Sequence, residues 1–239
     1  SPRLLTLSLM SDSLNVVAVV GSLQEKSITR VAVRHVADGL EAAGCTVDWL
    51  DLAEANLPMV NTDTTFGAAH YAPLKARVQT ADVFVLGTPD YHGSISGAMK
   101  NFLDHFWKEF TGKLFVPMVA SHEKGLTVHD QLHTIARQCY AWSLPYAVSF
   151  VEKEDVADGE VASDKFRDRL TMMMRDVQVY GKLFAPMVGS HEKGLTVHDQ
   201  LHTVARQCYA WSLPYAVSFM EKEDVANGEI VSDKFRDRL

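Results

Sequence analysis

Four short stretches of this sequence carry side chains whose types and spacing suit chemistry. The first, Gly21-Ser22-Leu23-Gln24-Glu25-Lys26-Ser27-Ile28-Thr29-Arg30, closes an apolar run and opens a helical one. A glycine for the turn, hydroxyls at Ser22, Ser27 and Thr29 and a nearby cation suit a phosphate dianion, because helix-start amides, hydroxyls and positive charge stabilise it together. The same residues also fit a plain capped turn with Ser27 as N-cap. The second stretch, Pro89-Asp90-Tyr91-His92-Gly93-Ser94-Ile95-Ser96-Gly97, puts an aromatic and small residues beyond a strand, where they can hold a flat ring against backbone amides. A turn in which Tyr91 merely packs accounts for it equally well. The third is Ser121-His122-Glu123-Lys124-Gly125. The fourth, His129-Asp130-Gln131-Leu132-His133, spaces two histidines one helical turn apart, as a shared metal requires, with His122 as a third ligand; a solvated helix face bearing two histidines is the plainer reading.

These stretches need elements to position them. Asn15 to Val20 is a continuous apolar run of buried-strand type, and Ile28 to Leu40 has helical spacing. Thr46 to Leu52 alternates as a strand, Tyr71 to Ala81 reads as a helix, Val83 to Gly87 as a buried strand and Gly97 to Phe110 as a helix with Met99, Phe102, Leu103 and Phe106 on one face. Leu114 to Val119, Val128 to Trp142, Tyr146 to Phe150 and Ser163 to Tyr180 continue as strand, helix, strand and helix. Strict alternation of short apolar strands with helices predicts an α/β fold: a three-layer, doubly wound parallel sheet of five strands. In such a sheet ligands bind beyond the carboxyl ends of the strands, where the first three stretches fall.

The first two loops occur in the order and spacing of the NADPH-dependent FMN reductase family, flavodoxin-like proteins that include quinone, azo-dye and chromate reductases. The chain resembles that family from about residue 14 to residue 180. The family's first loop runs roughly G-S-x-R-x-x-S-x-x-R, met here by Gly21, Ser22, Ser27 and Arg30; its second runs P-E-Y-N-x-S-x-P-G-x-L-K-N, met by Pro89, Tyr91, Ser94, Gly97, Lys100 and Asn101. The resemblance implies a flavodoxin-like fold and FMN as cofactor, with Ser22, Gln24, Ser27, Thr29 and Arg30 holding its phosphate. Pro89, Asp90, Tyr91, His92, Gly93 and Ser94 would lie along the isoalloxazine ring, joined by Ser121 and His122 of the third loop. It implies NADPH or NADH as electron donor, a small-molecule electron acceptor, and a homo-dimer or tetramer. Three departures stand out: Gln24 replaces an arginine, Asp90 and His92 replace Glu and Asn, and the third loop is not glycine-rich. Because the cofactor carries the chemistry, the resemblance names no catalytic side chain. Three rival functions remain: a flavin-binding electron carrier without turnover, a metal-dependent hydrolase built on His129 and His133, and an interaction module whose flavin site a duplication of the C-terminal segment has disabled.

A second feature of the chain is an internal repeat. Residues 112–170 recur at 181–239 with only seven differing pairs, Val116/Ala185, Ala120/Gly189, Ile135/Val204, Val151/Met220, Asp158/Asn227, Val161/Ile230 and Ala162/Val231. Two copies are too few for a solenoid, which points to a duplicated β-α-β-α segment. The expected organisation is an N-terminal extension over 1–13, the FMN-binding domain over 14–180, and an extra or exchanged segment over 181–239 that a neighbouring copy of the chain could accept. Met10-Ser11-Asp12 reads as a natural start.

Composition narrows the function classes. Of 239 residues 47% are hydrophobic and 22% charged, the balance of an ordinary globular protein. A net charge of −7 lacks the basic excess that nucleic-acid backbones demand. The absence of an apolar run near 18 residues argues against a membrane partner. Three widely spaced cysteines, Cys45, Cys139 and Cys208, do not form a disulfide framework and predict a reducing cytoplasm, with Cys139 and Cys208 as core residues.

Overall fold

The computed structural model describes residues 13–188 together with residues 225–226 and 229–230. The chain divides into two compact units, 1–198 and 199–239. In the second, β9 (Val225–Ala226) and β10 (Glu229–Ile230) form an antiparallel pair.

The first unit alternates strand and helix. Its central elements are β1 (Asn15–Val20), α1 (Ile28–Ala42), β2 (Thr46–Asp51), a single turn α2 (Leu52–Ala55), α3 (Tyr71–Thr80), β3 (Val83–Pro89) and α4 (Gly97–Asp104). They continue through β4 (Leu114–Ala120), α5 (Leu126–Gln138), β5 (Trp142–Ser143), β6 (Val148–Phe150), the hairpin β7 (Val156–Ala157) and β8 (Glu160–Val161), and α6 (Asp164–Val188). The sheet is parallel in the order β2-β1-β3-β4-β5, with β6 also paired to β4. This is the flavodoxin-like arrangement, with its switch point between β1 and β3.

The strands are apolar on both faces because both faces are covered. Val16, Ala18 and Val20 of β1 join Val33, Val36 and Leu40 of α1 and Phe166, Leu170, Met173 and Val177 of α6 in one core layer. Val17 and Val19 turn to the other face, into a layer with Phe102, Phe106, Val128 and Leu132 from the helices opposite. There Phe110 is packed edge-on against Phe84 and Phe115, each with ring centroids 5.1 Å away, and against Phe106 at 5.8 Å. Edge-to-face contacts of this kind add about 0.5–1.5 kcal/mol per pair beyond burial.

The expected fifth strand, Tyr146 to Phe150, is present as β6 from Val148 onward, and a further short strand, β5, precedes it at Trp142–Ser143, separated from it by residues 144–147. Pro145 has no N–H to give a ladder, and Leu144 N–H donates instead to the Phe115 carbonyl at the tail of β5. The expected helix from Gly97 to Phe110 stops at Asp104; a 3-10 turn at Lys108–Phe110 carries the last aromatic into the core. Expected residue 52 of β2 instead starts α2, because the Asp51 carboxylate caps the Ala53 N–H at 3.0 Å. The helix expected from Val128 to Trp142 is α5, ending at Gln138, so that Trp142 is free to enter β5.

Of the repeated segment, copy one fills the sheet position beside β3. Leu114–Ala120 is strand there, while the matching run through Val188 continues α6 as helix. β9 and β10 correspond position for position to β7 and β8. The expected extension over 1–13 lies outside the described residues up to residue 12, as do Cys208, His198 and His202. Cys139 is buried as expected, and burial raises its thiol pKa. No helix among the described residues is long and apolar enough to cross a membrane.

Candidate functional site

The carboxyl ends of β1, β3 and β4 bring three loops together. They approach closely because two glycines allow it: Gly21 N–H donates to the Gly87 carbonyl at 2.7 Å, and a Cβ on Gly87 would lie 2.2 Å from a Val33 methyl. The Ser96 hydroxyl then binds the loops to each other. It donates to the Gly21 carbonyl at 2.6 Å and accepts the Met99 N–H at 3.0 Å as the N-cap of α4.

Loop one is shaped by Arg30. Its guanidinium donates to the carbonyls of Gln24 (2.8 Å), Glu25 (2.9 Å) and Ser22 (3.4 Å), and its Nε to Asp51 at 2.5 Å. The Asp51 carboxylate, only 1% exposed, raises the Arg30 pKa, the hydrogen bond between them being the main cause. With those carbonyls gathered on the arginine, the N–H groups of residues 22–29 have no acceptor among the described residues. Ser27 caps α1 by accepting the Arg30 N–H at 3.2 Å. Arg30, expected as a phosphate contact, therefore faces the loop's own backbone and not the cavity.

Loop two is a tight hairpin in which Tyr91 and Ser94 exchange backbone hydrogen bonds of 3.0 and 3.2 Å. His92 and Gly93 between them have φ of 58° and 75°, the left-handed geometry of a two-residue turn. Asp90 joins loop two to loop three: one carboxylate oxygen accepts the Gly93 N–H and the other the Ser121 hydroxyl, both at 2.8 Å. From α5, Gln131 reaches the same hairpin with three hydrogen bonds. In loop three the Ser149 hydroxyl donates to the Lys124 carbonyl, and His129 Nε2 donates to the same hydroxyl at 3.1 Å.

A cavity opens where the three loops meet. Its walls include Ser22, Gln24, Ser27 and Thr29 from loop one, Pro89, Asp90 and Tyr91 from loop two, and Ser121 and His122 from loop three. Among the anticipated contacts, Arg30, His92, Gly93 and Ser94 do not line it. Residues that sequence reasoning missed do: Lys26, Ile28, Ala120, Phe150, Val151 and Glu152. Lys26 is the cavity's cation and sat within the stretch already singled out. Phe150 ends β6 and residues 151–152 follow it, so extending the strand-end rule to that strand finds them.

The metal reading of α5 is not supported. His129 is 2% exposed and its pKa is lowered to about 4, chiefly by burial, so it is neutral and spends Nε2 on Ser149. His133 Nε2 donates to the Leu144 carbonyl at 3.1 Å, and the two rings stand 6.4 Å apart. Among the described residues no three histidine, cysteine or acidic side chains converge on a metal position.

The residues present fit FMN. Unpaired amides, buried hydroxyls and one lysine at the loop-one end suit a phosphate; Tyr91 and the amide-bearing turns of loops two and three suit a flat ring. When bound, FMN supplies hydride and electron transfer, while the protein's part is to orient the ring and exclude competing contacts.

Comparison with known proteins gives the same result. The family model for NADPH-dependent FMN reductases matches residues 14–155. An NADPH azoreductase of Bacillus sp. (strain OY1-2) is 30% identical over 155 residues, covering 63% of this chain and 84% of that protein. An FMN-dependent NADPH-azoreductase of Staphylococcus aureus (strain USA300) is 34% identical over 92 residues, 36% of this chain and 49% of that protein, so the chain spans about half of it. Among solved structures, the flavoenzyme NAD(P)H:(acceptor) oxidoreductase FerB of Paracoccus denitrificans superposes with a TM-score of 0.60 at 20% identity, over 72% of this chain and 98% of that one. An NADH:FMN oxidoreductase in its apo form superposes at 0.56 and 16% identity, over 70% and 90%. These two similarities establish the fold. The family match, running through all three loops, establishes the rest: the chain belongs to the NADPH-dependent FMN reductases and is an NAD(P)H-dependent FMN oxidoreductase.

Proposed function

We propose that this chain binds FMN across its three loops and reduces small aromatic acceptors of the azo and quinone class. The FMN phosphate is held by the residue 22–29 amides with Ser22, Gln24, Ser27, Thr29 and Lys26. The ring lies against Pro89, Asp90, Tyr91, Ser121 and His122, with His92, Gly93 and Ser94 shaping the turn beside it. Arg30 serves from behind, as the group that turns the loop amides toward the phosphate. One observation carries this reading: Arg30 takes up the loop carbonyls and leaves the amides without acceptors, which is the electrostatic preparation an anion site requires. The relatives whose names include azoreductase support the acceptor class.

We place the FMN-binding domain at residues 14–180, with 181–239 as a segment that a second copy can accept, and the protein in the cytoplasm as a homo-dimer or tetramer. The free thiols of Cys45 and Cys139 agree with that compartment. The test is an absorbance titration with FMN, followed by anaerobic NADPH or NADH and then an azo dye or a quinone. A bound flavin that bleaches with nucleotide and recovers with acceptor supports the reading. No FMN binding at saturating concentration overturns it, and bleaching without recovery removes the azo and quinone class. Sedimentation of the full chain and of a chain ending at residue 180 tests the assembly: an unchanged number of subunits makes 181–239 dispensable for it.

A further inference from the structure

The hairpin of loop two demands more than its own residues provide. A two-residue turn with positive φ at both positions favours Asn-Gly or Asp-Gly, because a short polar side chain tolerates the left-handed region. Here His92 takes the first position with φ of 58°. Histidine is not among the residues that dominate that position, and external contacts hold the turn here. Asp90 supplies one, to the Gly93 N–H. The others come from a single side chain on α5.

Gln131 Oε1 accepts the Ser94 hydroxyl at 3.1 Å and the Ile95 N–H at 3.2 Å, while its Nε2 donates to the Gly93 carbonyl at 3.1 Å. Oxygen and nitrogen of one amide thus grip both sides of the hairpin. Gln131 does not line the cavity, whereas Tyr91 of the hairpin it holds does. Its contacts reach loop two, whereas loop one is tied to that region through Ser96 and Gly21. We infer that Gln131 is a positioning residue: it sets the His92-Gly93 turn and thereby the ring-binding half of the FMN site, without acting on the phosphate half. This rests on the FMN reading given above.

Two ligands separate the halves, since riboflavin carries the ring but no phosphate. Gln131→Leu is expected to weaken FMN and riboflavin alike, by about tenfold each, leaving the ratio of the two affinities at its original value. In the flavin-free protein it is expected to speed amide exchange at Gly93 and Ile95 while leaving Gly21 unchanged. Introducing His92→Asn, which makes the turn self-supporting, is expected to shrink the effect of Gln131→Leu to a few-fold or less. Should Gln131→Leu fold poorly, Gln131→Glu keeps the acceptor for Ser94 and Ile95, drops the donor to Gly93, and is expected to give a smaller loss of the same pattern. Unchanged flavin affinity, a loss confined to FMN, or an undiminished effect in the His92→Asn background overturns the assignment. The exchange measurement needs no flavin, so it judges the clamp even if the chain fails to bind FMN.

Discussion

Loop one is shaped from close by along the chain. The guanidinium that gathers its carbonyls belongs to Arg30, five to eight residues from the groups it binds, and Ser27 caps the helix only three residues before its partner. Loops two and three borrow their shape from afar. Gln131 is 36 to 38 residues from most of its partners, Asp90 is 31 from Ser121, and Ser149 is 25 from Lys124. The end of the cavity proposed for the phosphate therefore needs little more than β1, α1 and Asp51. The end proposed for the ring needs α5 and β6 correctly docked before its turns take shape, so it should be the first part lost when the fold is weakened.

The strongest way to break this contrast is to remove the local anchor. Arg30→Met leaves the Asp51 carboxylate buried and unpaired, and stability should fall by about 3–5 kcal/mol in urea unfolding. FMN affinity should fall far more than riboflavin affinity; an equal loss for both would mean that loop one is no more independent than the others. The next effect is one of pH. His129 anchors loop three in its neutral form, with its pKa lowered by burial to about 4. Because the folded state holds the proton less tightly than the unfolded chain, this stabilisation is full above about pH 6.5 and is lost as pH falls toward 4. The window corresponds to about 2–3 kcal/mol, visible as acid-weakened unfolding that His129→Gln should flatten. His133, also lowered by burial, steepens the same window, and equal pH slopes in wild type and variant would sink the assignment to His129.

Smaller effects sharpen the comparison. Asp90→Ala removes the carboxylate shared by Gly93 and Ser121 and should cost about 1–3 kcal/mol of stability. Calorimetry should show this, together with parallel weakening of FMN and riboflavin. Lys26→Ala should be milder, weakening FMN about three- to tenfold in low salt, less in high salt, and riboflavin not at all. A riboflavin effect there would move Lys26 to the ring side.

The same contrast explains what could be read from the sequence. Apolar runs at β1, β3 and β4 and the helical spacing of α1 placed the sheet and its switch point, and the loop motifs placed the cavity, because each signal lies within one short stretch. Gln131 escaped notice as a functional residue since a glutamine on a helix between two histidines carries no local sign of its partners. For Arg30 the sequence shows a cation beside a candidate phosphate loop, and only geometry adds that Asp51, from the next strand, turns it toward the loop carbonyls. The β7–β8 hairpin has a local signal, Asp158-Gly159 with φ of 51° and 82°, but the strands flanking it are only two residues long, too short to show an alternating pattern. The continuation of α6 through residues that form β4 in the other copy shows the opposite limit: near-identical sequence takes two conformations once the place beside β3 is filled.

The close meeting of Gly21 with Gly87 has a consequence for how this enzyme can change. With backbone against backbone there, and Ser96 fastening the seam, the distance between the two halves of the site is set by the sheet itself. A side chain added at Gly87 would strike Val33 before it reached any ligand. Room for change lies at the exposed edge, where Tyr91 and His122 stand and substitutions cost the fold little. The enzyme has a fixed floor and a variable rim, so its range of acceptors can diverge while its cofactor stays the same.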